Sequence, residues 1–237
     1  MSSTPQIKHI ASLRMPKYRQ KYGQFVIEGR KMVEEVFHSD WEIDGIWATK
    51  EFVNRYEPSY PLEIMSANDN KKLTAFDTAP GVLALVRMPV YHALNHEVNF
   101  ILALDGISDP GNMGSIIRLA DWFGLHQVIA SEDCVDMYNP KCLNASMGSF
   151  LRVSVVYTKL NQVVEGRTVY GAFLDGGSIH NQKITGKSML IVGSESHGIR
   201  LEAQSLVTKR ITIPGNGGAE SLNAALASAI LLDNLLR

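Results

Sequence analysis

The stretch Ile211–Arg237, ITIPGNGGAESLNAALASAILLDNLLR, decides how this chain is read. Ile211-Thr212-Ile213 predicts a short strand, Pro214-Gly215-Asn216-Gly217-Gly218 a loop, and the remainder a helix. Leu222, Ala225, Leu226, Ala229 and Ile230 recur at helical spacing and form one apolar stripe. Ser221 stands where an N-cap is expected, and Glu220 places negative charge near the positive end of the helix dipole. A glycine-rich turn between strand and helix lets backbone amides approach a ligand closely. Any α/β protein can carry such a turn, so its meaning depends on what accompanies it.

Two further stretches of the same kind lie upstream. Leu190–Arg200, LIVGSESHGIR, runs from an apolar strand straight into Gly193-Ser194-Glu195-Ser196-His197-Gly198. Glu195 occupies the place a serine would take in a nucleophile elbow, and neither a P-loop nor a G-x-G-x-x-G fingerprint is present. Leu104–Gly124, LDGISDPGNMGSIIRLADWFG, ends a strand at Asp105-Gly106 and turns at Asp109-Pro110-Gly111. It continues as a helix that Asn112 can cap and Gly124 closes. Arg118 interrupts an apolar first half of that helix, where a long cation either snorkels to solvent or meets an anion. The runs FILALDGI, HQVIA, LRVSVVY, TVYGAFL, SMLIVG and RITI alternate with helical patterns from Phe100 onward. That predicts a mostly parallel sheet covered on both faces, with ligands at the carboxyl ends of its strands.

Taken in order, the three loops closely resemble the motifs of the SpoU (TrmH-like) branch of the SPOUT superfamily. Asp109-Pro110-Gly111-Asn112-Met113-Gly114 through Ala120 matches the first motif, and Val192-Gly193-Ser194-Glu195 with Gly198 the second. Ile213-Pro214 and Glu220-Ser221-Leu222-Asn223 match the third, and Asn144–Ser149 is similar to a weaker segment between the first two. Gly215 and Ala224-Ala225 depart from the usual pattern, as small-residue changes beside the third loop.

The resemblance implies an S-adenosylmethionine-dependent RNA 2′-O-ribose methyltransferase whose C-terminal stretch is threaded as a trefoil knot. It implies Arg118, Asn112, Glu195, Ser221 and Asn223 as catalytic residues. Gly193, Ser194, Gly198, Ile213, Pro214 and Leu222 would be cofactor-binding. Whether Arg118 acts as base or only positions ribose and phosphate stays open, since a free arginine is a poor base. A homodimer with its site at the interface is also implied, and Leu231, Leu232, Leu235 and Leu236 would suit such packing.

Residues 1–90 read as a separate small α/β unit. A helical segment over residues 4–22 is broken or restarted at Pro16, and strands follow at 25–27, 43–48, 62–65 and 81–86 with helices between them. The unit resembles the L30e-like substrate-binding domain that precedes the catalytic domain in many members. Residues 91–98 read as a polar linker, and 99–237 as the methyltransferase domain. The fold class expected is therefore α/β, an L30e-like domain followed by a mostly parallel-sheet SPOUT domain. Residues 1–31 carry seven lysines and arginines against Glu28 alone. Of these, Lys8, Arg14, Lys17, Arg19, Lys21 and Arg30 are the candidate RNA contacts.

Composition sets the outer limits. With 237 residues the chain can hold one or two domains, and no apolar run is long enough to span a bilayer. The polar N-terminal stretch lacks a signal-peptide core, so the expected location is cytoplasmic. Cys134 and Cys142 fit no zinc spacing and read as plain thiols. His92 and His96 stand four apart with no third ligand nearby, so no metal is expected. Domains of the L30e type accompany several ribosomal-RNA methylators, which favours rRNA of the large subunit as substrate. The alternatives are the same chemistry on tRNA, or a non-catalytic RNA-binding assembly factor.

Overall fold

A computed structural model of the chain describes residues 4–89 and 94–237. The N-terminal region begins with α1 (Thr4–Ser12) and α2 (Pro16–Tyr22). Pro16 takes the first turn of α2, where its missing amide costs nothing, and Gly23 ends the helix at φ 62°. Then follow β1 (Gln24–Glu28), α3 (Arg30–Phe37), β2 (Ile43–Thr49), α4 (Lys50–Tyr56), β3 (Glu63–Met65), α5 (Ala67–Leu73) and β4 (Val82–Arg87). The Thr49 and Ser66 hydroxyls cap α4 and α5 by accepting from the Phe52 and Asp69 amides. The sheet order is β1-β4-β2-β3, antiparallel except for β2 with β3.

The C-terminal region comprises β5 (Phe100–Asp105), α6 (Pro110–Trp122), β6 (Gln127–Ala130), α7 (Pro140–Ser146) and β7 (Ser154–Tyr157). It continues with β8 (Thr168–Ser178), β9 (Ser188–Gly193), α8 (Leu201–Gln204), β10 (Lys209–Thr212) and α9 (Ala224–Leu236). Six strands in the order β10-β8-β9-β5-β6-β7 pair in parallel throughout. Central strands such as β5 and β9 are buried along nearly their whole length, as the continuous apolar runs require. The strict alternation with helices does not hold everywhere. The segments between β7 and β8, and between β8 and β9, form only 3₁₀ turns at Leu160–Val163 and Ile179–Asn181.

The two regions are not separated by an open linker. One hydrophobic core runs from Phe25, Ile27 and Val33 of the N-terminal region into Met113, Ile116 and Phe150 of the C-terminal one. Across the junction Phe25 packs on Tyr138 at 4.6 Å between ring centroids, and Trp41 on Phe150 at 5.5 Å. The described part of the expected linker is pinned as well. Arg167 donates to the carbonyls of His96 at 2.7 Å and Val98 at 2.8 Å, and Lys187 pairs with Glu97 at 2.9 Å. His92 lies outside the described residues, and among the described ones no cluster of three or more metal-ligating side chains occurs.

Candidate active site

Strands β5 and β9 are neighbours in register, with Asp105 opposite Gly193, so their carboxyl ends open the first and second loops side by side. The first loop leads into α6. Its cap is Asp109, whose Oδ1 accepts from the Asn112 amide at 2.8 Å. Asn112 is therefore not the cap: it lies within the first helical turn, its side chain turned inward and only 9% exposed. A similar displacement occurs at α9. The cap is Asn223, whose Oδ1 accepts from the amides of Ala225 and Leu226 at 3.0 and 3.2 Å. Ser221 stands two residues before it, exposed. An Asn cap uses its oxygen on the helix and leaves its amide nitrogen to bond elsewhere.

That spare nitrogen closes the site. Asn223 Nδ2 donates to Asn112 Oδ1 at 2.7 Å and to Glu195 Oε1 at 2.5 Å. Asn112 Nδ2 donates to the same Glu195 oxygen at 3.0 Å, and the Ala224 amide reaches it at 3.2 Å. One carboxylate oxygen thus ties all three loops. Its partner Oε2 makes no hydrogen bond among the described residues, and Glu195 is exposed.

The second loop is a tight turn in which the Gly198 amide donates to the Ser194 carbonyl at 2.8 Å. Gly198 adopts φ 63°, and a Cβ on Gly193 would come within 2.1 Å of the Gly198 carbonyl carbon. In the third loop, residues 214–223 are all exposed. The main-chain groups of residues 214–222 make no hydrogen bond among the described residues. Ile213 is half-buried against the main core, which anchors the start of that loop.

Beneath the loops lies a cluster to which the sequence pattern assigned no role. Arg200, just after the second loop, donates its amide to Asp105 Oδ2 at 2.7 Å and its Nε to Oδ1 at 2.9 Å. It also forks onto Asp133 at 2.7 and 3.0 Å. Asp105 is 2% exposed and would be a costly buried charge without that partner. The hydrogen bonds it donates to the Asp105 carboxylate raise the Arg200 guanidinium above its ordinary value. Burial works to raise Asp133, but the Ser131 hydroxyl and Arg200 outweigh it and hold the carboxyl below its usual range. The signal was available: an aspartate ending an apolar parallel strand requires a buried counter-charge.

Arg118 is not part of the tie. It follows Asn112 by six residues on α6, roughly 9 Å along the axis and on another face. It is exposed, with no hydrogen bond or ion pair among the described residues. Trp122, one turn on, is 82% exposed on the same face.

The basic arm divides. Lys8, Lys17, Lys21 and Arg30 are exposed, and so is Arg14, which donates to the carbonyl of Lys72 at 2.6 Å. Arg19 is a correction to the expected RNA-facing set. It is 1% exposed, paired with Asp136 and bonded to the carbonyls of Leu13 and Arg14, so its charge never meets solvent. Both cysteines are buried, and burial raises each thiol, as their reading as plain thiols requires.

Loops from the carboxyl ends of parallel strands, joined at one carboxylate, define the class: an α/β protein whose candidate site lies where such sheets hold their ligands. Residues 99–233 match the SpoU rRNA Methylase family and residues 4–84 the MRM3-like substrate binding domain, and the chain belongs to the SpoU rRNA methylase family. It is 31% identical to the 23S rRNA (guanosine(2553)-2′-O)-methyltransferase RlmP of Bacillus subtilis, over 97% of this chain and 95% of that one. A TrmH-family structure from Porphyromonas gingivalis superposes with a TM-score of 0.82 at 34% identity, covering 99% of this chain and 98% of the other. The SpoU methyltransferase AviRb of Streptomyces viridochromogenes, solved with AdoMet, shares the fold at a TM-score of 0.86 and 23% identity, covering 99% and 97%.

Proposed function

We propose that this protein methylates the 2′-hydroxyl of a ribose in large-subunit ribosomal RNA, using S-adenosylmethionine. The observation that carries the reading is the tie of Asn112, Asn223 and Ala224 onto Glu195 Oε1. It joins three loops beside a run of main chain with unspent hydrogen-bonding groups. The residues present suit the cofactor: Gly193, Ser194 and Gly198 on one side, Ile213, Pro214 and Leu222 on the other, offer amides, carbonyls and three apolar side chains to an adenosine. When bound, S-adenosylmethionine supplies a methyl group activated by its sulfonium charge.

The chain's own residues then have separate tasks. Glu195 Oε2 accepts the hydrogen bond of the ribose hydroxyl, orients its lone pair and passes the proton that the hydroxyl gives up to solvent. Ser221, exposed at the mouth of the third loop, bonds the target nucleotide. Arg118 holds the RNA phosphate and stabilises charge developing on the ribose oxygen; a guanidinium stays protonated, so it positions and does not take the proton. Within one chain Arg118 stands apart from the tie, which supports a homodimer in which it completes the partner's site. The exposure of Leu226 at 60% and Trp122 at 82%, on helices that pack together, supports the same arrangement.

Residues 1–90 form the RNA-holding domain, with Lys8, Arg14, Lys17, Lys21 and Arg30 toward the RNA, residues 91–98 the connection, and 99–237 the catalytic domain with its C-terminal knot. Among the described residues no helix is long and apolar enough to cross a membrane, in keeping with work on ribosomal RNA in the cytoplasm. The test is transfer of labelled methyl to rRNA and tRNA fractions lacking endogenous modification, followed by digestion to nucleosides. Label in a 2′-O-methyl nucleoside from rRNA is expected. Label from tRNA alone would overturn the substrate, and cofactor binding without transfer to either would overturn the catalytic reading.

A further inference from the structure

Between β6 and α7 the chain runs Ser131-Glu132-Asp133-Cys134-Val135-Asp136, and its two aspartates face different parts of the molecule. The segment is stitched to the first loop. The Ser131 amide donates to the Leu104 carbonyl at 2.9 Å, the Val135 amide to the Ile107 carbonyl at 2.8 Å, and the Gly106 amide to Ser131 Oγ at 2.9 Å. Asp133 receives Arg200 and so holds the end of the second loop. Asp136 receives Arg19 of α2, through Nε at 2.9 Å and through Nη2. The remaining nitrogen, Nη1, spans the carbonyls of Leu13 and Arg14 at 2.9 Å each, so the buried fork joins the turn between α1 and α2 to the segment.

Apart from a long, solvent-exposed Arg152–Glu35 pair at 3.8 Å, the other contacts described at this junction are aromatic and apolar, and such faces tolerate sliding. A forked arginine–carboxylate pair is directional and sets register. We infer that Arg19 is a positioning residue for methyl transfer: through Asp136 it fixes the RNA-holding domain against the same rigid segment from which Asp133 secures the second loop. The inference rests on the RNA reading above. Its physical basis is that hydroxyl and methyl carbon must meet at about 3 Å, and that a misplacement of ~1 Å can cost about 100-fold in rate. Loss of the fork therefore shows in turnover, while each domain keeps its own affinity.

The experiment is Arg19→Met in the full chain, which keeps the aliphatic stem and removes the fork. We expect kcat to fall about tenfold, within the range that misalignment produces, with the dissociation constants for RNA and for S-adenosylmethionine unchanged. Arg19→Lys, which can reach Asp136 but not span both carbonyls, recovers part of the rate. Unchanged turnover overturns the inference, as does a cofactor-binding stoichiometry that falls in step with kcat, the mark of partial unfolding. Asp136→Asn carries the same expectation should Arg19→Met fail to fold. A readout independent of activity is the spin-label distance between Lys50→Cys and Lys159→Cys. It should broaden in Arg19→Met, and an unchanged distribution overturns the inference even if no RNA is methylated.

Discussion

At the scale of single residues, the proposed chemistry is divided between groups that are tied down and one that is free. Asn112, Glu195 and Asn223 hold one another, whereas Arg118 has no protein partner among the described residues. Arg118→Ala should lower methyl transfer about 100- to 1,000-fold, as loss of one charge-stabilising donor does. Cofactor affinity by calorimetry should not change, and loss of both would make Arg118 structural. Glu28 offers a pH-dependent test. It is 7% exposed and burial raises its carboxyl above the ordinary 4.5, although the Ala75 amide donates to it at 2.8 Å. A raised folded-state pKa means that ionisation opposes folding, so stability is greatest below about pH 4.5 and declines as pH rises through the folded value. Glu28→Gln should raise the melting temperature at pH 7.5 and make no difference at pH 4; equal gains at both pH values would assign the effect to packing.

At the scale of elements, the loops depend on close backbone approach. The hairpin of the second loop leaves no room for a side chain at Gly193. Gly193→Ala should cost ~1–3 kcal/mol of stability through forced displacement and weaken S-adenosylmethionine binding about tenfold or more, since 1.4 kcal/mol is one decade. Unaltered binding would place the cofactor elsewhere. Glu195→Ala strands the buried Asn112 amide and should cost about 1–3 kcal/mol, seen in thermal melts. The helix that closes the chain shows the opposite lesson about stripes. Leu222 and Leu226 are exposed, and the face buried within this chain is Ala224, Ala225, Ser228, Leu231, Leu232 and Leu235. Of the leucines expected to serve a partner, Leu231, Leu232 and Leu235 are thus core and Leu236 is half-buried. A helix apolar on two flanks can bury one in its own chain and leave the other, here Leu226, exposed.

At the scale of the whole molecule, the proposed homodimer would use that outward flank and the isolated Arg118. Leu226→Glu should convert a sedimenting dimer to monomer and remove methyl transfer while leaving the fold intact by circular dichroism. A variant that stays dimeric and active would exclude this face. Much of this protein was legible in the chain alone. Continuous apolar runs separated by polar turns specify parallel buried strands, because only strands covered on both faces dispense with alternation. Glycines and short polar residues at three strand ends marked the loops, because only such residues allow close backbone approach. The tertiary structure alone decided that Arg19 is a buried clamp and not an RNA contact. It alone brought Asp105, Asp133 and Arg200 under the loops. Those outcomes rest on pairings across 67 to 117 residues of chain, which no local pattern can register. Whether a charge meets solvent or a carboxylate depends on what the fold brings to it.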